Sequence, residues 1–133
     1  MIEVRPAKLQ DLPLIFSTWL RSYRHSSQFA KKLSNDVFFK WHHKVIERFI
    51  ERGGQILIAH ATGDSEVILG YLCYEPSIVQ YAYVKRAFRK MGIAKQLVEI
   101  AKISPKDQFT HWTTDTNWII KKLPELTYNP YLL

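Results

Sequence analysis

A chain of 133 residues that is 47% apolar and 14% aromatic has the size and hydrophobicity of one globular domain, and it lies outside the disordered regime. Its lone Cys73 excludes an internal disulfide framework and a cysteine-built zinc site, and no apolar run approaches the roughly 20 residues that cross a bilayer. The start Met1-Ile2-Glu3-Val4-Arg5 lacks the charged-then-apolar pattern of a signal peptide, so a cytoplasmic protein with an anionic partner for its +7 charge is expected.

Ile2 to Arg5 alternate as a short strand before Pro6. Asp11 is placed to cap a helix with Pro13 in its first turn, and Leu12, Ile15, Phe16, Trp19, Leu20 and Tyr23 form its apolar stripe. That helix should end near His25-Ser26-Ser27. A second helix, capped by Asn35 or Asp36, turns Phe38, Trp41, Val45 and Phe49 inward and stops at Gly53-Gly54. The period then changes to that of strands. Gln55 to His60, Val67 to Tyr74 and Ser77 to Val84 are separated by short turns and predict an antiparallel meander. Gly70, inside the second of these strands, implies a bulge or a close backbone approach. Gly92 opens a third helix with Ile93, Leu97, Ile100 and Ala101 inward. Phe109 to Thr113 read as a strand and Thr116 to Leu123 as a helix stopped by Pro124, with an extended tail beyond. The order is β-α-α-β-β-β-α-β-α-(β) in one domain over residues 1–133, with no repeat or linker.

The charge is concentrated. Arg21 to Arg48 and Lys85 to Lys95 each sum to +5, leaving a mildly acidic remainder. Neither segment carries a helix-turn-helix, zinc-finger or RNP-type pattern, which argues against a nucleic-acid partner. The second contains a glycine at a strand-to-helix junction: a strand ends at Val84, a basic loop follows, and a helix starts at Gly92. A helix start offers unpaired N–H groups and the positive end of the dipole. Gly92 and Ala94 let an anion reach that backbone, while Arg89, Lys90 and Lys95 add charge. The junction reads as a pyrophosphate cradle.

Arg89-Lys90-Met91-Gly92-Ile93-Ala94 fits the pattern Arg/Gln-x-x-Gly-x-Gly/Ala that follows a strand ending in valine. On these residues the chain resembles the GCN5-related N-acetyltransferase (GNAT) family, from Ile2 to around Ile120, with Gly70 and Asn117 at positions the family also uses. The resemblance implies an α/β (α+β) fold with a mixed, mostly antiparallel central sheet flanked by helices. It implies acetyl-CoA as acyl donor and direct attack by a primary amine in a ternary complex. Tyr83 and Val84 would offer backbone groups to the pantetheine, Arg89 to Ala94 with Lys95 would hold the pyrophosphate, and Asn117 would contact the CoA arm.

Catalytic candidates are fewer. Glu75 is the best-placed carboxylate for a base, with His111 as a second candidate. The tyrosine that many relatives use to protonate the thiolate would fall at Leu123 or Pro124, and Tyr128 is the nearest substitute. The acceptor side is expected from Tyr23, Arg24, His25 and Trp41. His42 and His43 are adjacent on a helix and face apart, so no metal site is expected. The missing tyrosine motivates an alternative, a CoA-binding or regulatory module without catalysis. A monomer or homodimer is expected in either case.

Overall fold

The computed structural model describes residues 2–133. The elements run β1 (Ile2–Pro6), α1 (Leu12–Ser26), α2 (Gln28–Lys31), α3 (Asn35–Glu51), β2 (Gln55–Ala61), β3 (Asp64–Glu75), β4 (Ile78–Val84), α4 (Ile93–Ile100), β5 (Gln108–Phe109), α5 (Thr114–Lys122) and β6 (Thr127–Tyr128). The six strands form one sheet in sequence order; β1 to β4 pair antiparallel, while β4–β5 and β5–β6 pair parallel.

Alternation along the central strands divides the core into two layers. Tyr71 and Cys73 of β3 face α1 and α3 with Ile15, Trp19, Phe38, Ile46 and Phe49, whereas Leu72 faces α4 and α5 with Ile93, Leu97 and Ile119. Helices therefore cover both faces of the sheet.

Local chemistry shifts several element starts from their expected places. Asp11 holds the N-cap position of α1, with Pro13 in the first turn as expected, but its side chain makes no capping bond to that helix. Its carboxylate accepts the Lys8 N–H at 2.7 Å and pairs with Arg5 at 2.7 Å, tying β1 to the helix entry. Ser34, not Asn35 or Asp36, caps α3 by accepting the Val37 N–H. The inward stripe of α3 is Phe38, His42, Ile46 and Phe49, so Trp41 stands outside at 53% exposure and Ile100 of α4 is likewise exposed. Ser27 caps the extra turn α2, and Thr113 caps α5, which shortens β5 to two residues.

Gly70 lies opposite Val84, where β3 and β4 come close. A β-carbon there would stand 2.6 Å from the Tyr83 carbonyl oxygen and 3.2 Å from the Val84 Cα, both backbone atoms that cannot move aside. Cys73 pairs with Tyr81 and Tyr74 with Val79, leaving Gln80 as the extra residue of a bulge in β4. We expect Gly70→Ala to destabilise the fold by about 1–3 kcal/mol, as overpacking does, read as a lower denaturant midpoint. An unchanged midpoint would contradict the close approach.

Candidate functional site

Two consecutive features shape the loop between β4 and α4. Lys90 and Gly92 both take positive φ, 65° and 81°, which turns the chain sharply into the helix. Space around Gly92 is open, so glycine serves the left-handed backbone there and leaves the helix start bare. The Gln96 N–H bonds to the Gly92 carbonyl at 3.0 Å. Ahead of it, the N–H groups of Ile93, Ala94 and Lys95 have no partner among the described residues. The cleft in front of them, about 80 Å³, is lined by Val84, Arg89, Lys90 and Lys95 and, from α5, by Asp115 and Trp118. It continues past Lys95 and Trp118 into a groove of about 320 Å³ between α4 and α5.

The other wall is the free edge of β4. Parallel pairing with β5 ends where the Thr110 N–H reaches the Val79 carbonyl, and beyond that point the strands part. Buried backbone groups on the exposed edge need partners. At Val84 they have them: its N–H donates to Asp115 Oδ2 at 3.0 Å, and its carbonyl accepts from Arg89 Nε at 3.1 Å. Arg89 Nε also stands 3.5 Å from Asp115 Oδ1. Burial raises the Asp115 pKa, an effect opposed by the Val84 N–H and by Arg89. A second cleft, also about 80 Å³, lies between the end of α1 (Ser22, His25, Ser26) and Tyr81, and shares Arg89, Thr114 and Asp115 with the first.

No family model and no curated protein matches the chain. Solved structures do. A Pyrococcus furiosus protein assigned as an acetyl transferase is 12% identical with a TM-score of 0.66, over 92% of this chain and 91% of its own. Apo-form YjaB from Escherichia coli is 16% identical with a TM-score of 0.65, over 92% of this chain and 81% of its own. The PaiA N-acetyltransferase of Thermoplasma acidophilum, solved in complex with coenzyme A, is 19% identical with a TM-score of 0.50, over 77% of this chain and 70% of its own. A GCN5-related N-acetyltransferase from Rhodopseudomonas palustris also matches. The chain has the GNAT fold.

Within this GNAT fold, the expected donor-side residues divide. Val84, Arg89, Lys90, Gly92, Ile93, Ala94 and Lys95 meet in the first cleft, whereas Met91 points to solvent at 65% exposure. Backbone groups of Tyr83 face β3, because successive residues alternate and those of Val84 face the gap; Ala82 shares the Val84 edge. Asn117 stands away from the cleft and accepts the Trp112 indole N–H. In its place α5 presents Asp115 and Trp118, which sequence reasoning missed. Taking Thr113 as the cap would have put Asp115 in the first turn of α5, facing the β4 edge.

The catalytic candidates lie elsewhere. Glu75, at the far end of β3, makes a bidentate pair with the Arg52 guanidinium, and that pairing holds its pKa below the usual range. It lines neither cleft, so it is not positioned as the base. Tyr128 packs against Phe109 and Trp112 at the sheet edge, also outside both clefts. Of the acceptor-side candidates only His25 lines the second cleft. Tyr23 is buried against His42, the Arg24 guanidinium bonds to the Ala30 carbonyl, and Trp41 lies beneath the Lys44 ammonium at 4.5 Å. Among the described residues no three His, Cys, Asp or Glu side chains cluster as a metal site, and no helix is long and apolar enough to cross a membrane.

His111, the second base candidate, is fully enclosed. Its Nε2 meets His42 Nε2 at 2.8 Å and its Nδ1 meets Thr110 Oγ1 at 2.8 Å, while Thr110 donates to Gln80 Oε1 at 2.7 Å. Burial lowers the His42 pKa to about 4; burial and the His42 neighbour lower that of His111. Both rings are neutral in the folded state and structural rather than accessible to an amine. Their folded pKa values lie below the unfolded value of 6.5. The stability they confer is therefore full above pH 6.5 and is lost as pH falls toward 4, at about 1.4 kcal/mol per pH unit for each ring. Asp115, shifted upward, opposes this loss at the acid end. Urea titrations at pH 7.5 and 5.5 should differ by about 1–3 kcal/mol, the lower pH being less stable. Equal stabilities would contradict a neutral buried pair.

Proposed function

We propose that this protein is a cytoplasmic N-acetyltransferase of the GNAT type, one acyl-CoA-binding unit over residues 1–133 that transfers an acetyl group from acetyl-CoA to a primary amine. The observation that carries the reading is the bare start of α4, with Gly92 at φ 81° and three unpartnered N–H groups, beside the unpaired edge of β4. Aligned amides at a helix start match a pyrophosphate, and a strand edge not paired with another strand matches an amide-bearing chain laid alongside it. Acetyl-CoA contains both. The PaiA N-acetyltransferase of the same fold, in complex with coenzyme A, supports the assignment.

In this reading the amides of Ile93, Ala94 and Lys95 hold the pyrophosphate, with the ammonium groups of Lys90 and Lys95 beside it. The backbone of Ala82 and Val84 lies along the pantetheine, which places the thioester toward the second cleft. An N–H on that edge steadies the developing oxyanion. The acceptor amine enters between His25 and Tyr81, on the opposite side of the sheet gap from the donor. Transfer is direct, so the protein's task is to hold the two reactants in line and to exclude water.

Gly92→Asp separates the site from the fold, because aspartate tolerates left-handed φ while its charge meets the phosphates. We expect coenzyme A affinity, measured by calorimetry, to fall at least about 100-fold, or about 2.7 kcal/mol, in a variant with unchanged circular dichroism. Unchanged affinity would refute the assigned seat. Absence of binding by the unsubstituted protein at millimolar coenzyme A would refute the acyl-CoA reading.

A further inference from the structure

We infer that Asp115 is the proton acceptor of the transfer reaction, the carboxylate that the donor and acceptor clefts share. The inference rests on the acyl-CoA reading and deepens it. Asp115 lines both clefts, and no other Asp or Glu lines either among the described residues. The residue is 8% exposed, at the bottom of the gap where β4 and β5 part. Its two oxygens are used unequally. Oδ2 is engaged by the Val84 N–H at 3.0 Å, whereas among the described residues Oδ1 has only the long 3.5 Å approach of Arg89 Nε, whose hydrogen bond goes to the Val84 carbonyl. Oδ1 is thus a buried acceptor with capacity to spare at the point where an amine must meet a thioester.

The charged and titratable groups around it come from four elements. Arg89 approaches from the loop and Lys95 lines the donor cleft from α4; His25 of α1 and the Tyr81 hydroxyl of β4 line the acceptor cleft. The Tyr81 hydroxyl is bonded to Ser22 Oγ at 2.6 Å, and burial raises its pKa far above neutrality, so it does not compete as a base. Burial also raises the Asp115 pKa, in the direction a general base requires.

The step balances within these groups. The amine lone pair attacks the thioester carbonyl carbon, forming the C–N bond, and the C–S bond breaks with its electron pair on sulfur. One N–H proton passes to Asp115 Oδ1 and from there to the departing thiolate. Amine and thioester become amide and thiol, and the carboxylate is restored. One residue thereby serves in turn as base and acid, and no hydroxyl is needed at Leu123 or Pro124.

The test uses acetyl-CoA with propylamine as probe acceptor, thiol release as readout, and Asp115→Asn, whose amide oxygen still accepts the Val84 N–H. A role limited to holding Val84 would survive that change. We expect kcat to fall about 100-fold or more, with coenzyme A affinity within threefold of the unsubstituted protein. The acid limb that the kcat profile shows in the carboxylate range, measured at saturating propylamine, should disappear in Asp115→Asn and persist in Asp115→Glu, and formate should restore part of the rate to Asp115→Ala. Should Asp115→Asn fail to fold, the Asp115→Glu profile and formate rescue decide. Equal rates in the unsubstituted protein and Asp115→Asn, including none in either, would overturn the inference, as would an unchanged acid limb. Loss of coenzyme A binding by the unsubstituted protein would instead overturn the acyl-CoA reading, so the two failures are distinct.

Discussion

The divergence of β4 from β5 after Thr110 governs the rest of this structure. A strand edge inside a protein cannot leave its N–H and carbonyl groups unpaired without a cost comparable to lost hydrogen bonds. Here the edge is satisfied at Val84 by two side chains from flanking elements, Asp115 from α5 and Arg89 from the loop before α4. The position of α5, the path of the basic loop and the junction of the two clefts all follow from that gap.

What holds the gap open is a polar chain at its closed end. Gln80 is bulged from β4, accepts from Thr110 and donates to Glu75, and Glu75 is clamped by Arg52. In the other direction Thr110 leads to His111 and His42 beneath α3. Such a network has a large effect in a low-dielectric interior, since each member left unpaired would be costly. It fixes where pairing of β4 with β5 stops. Glu75 belongs to this support, which accounts for its low pKa and its distance from the clefts.

The legible features were those written in local periodicity and local backbone need. Strand alternation gave the meander, and Gly70 and Gly92 gave a close approach and a left-handed helix start because glycine answers a constraint at its own position. Features that depend on distant partners were not legible. Trp41 is the more apolar choice for the inward face of α3, yet His42 takes it, because its ring pairs with His111 sixty-nine positions away. Asp115 gains meaning only beside an unpaired Val84, and Glu75 loses its catalytic promise only beside Arg52. Carboxylates read alike in a sequence; their neighbours decide what they do.

Charge sharpens the same point. Of the +7 excess, the Lys85 to Lys95 segment surrounds one helix start, whereas cations of the Arg21 to Arg48 segment are engaged locally, Arg24 with a carbonyl and Lys40 and Lys44 with the Trp41 ring. In the proposed function the α4 start and the β4 edge together form one seat for coenzyme A. Amide chemical-shift mapping of the ¹⁵N-labelled protein during a coenzyme A titration tests it most directly. We expect saturable shifts largest at Gly92, Ile93, Ala94 and Val84. Shifts confined to α3, or none at these four amides at saturation, would contradict it.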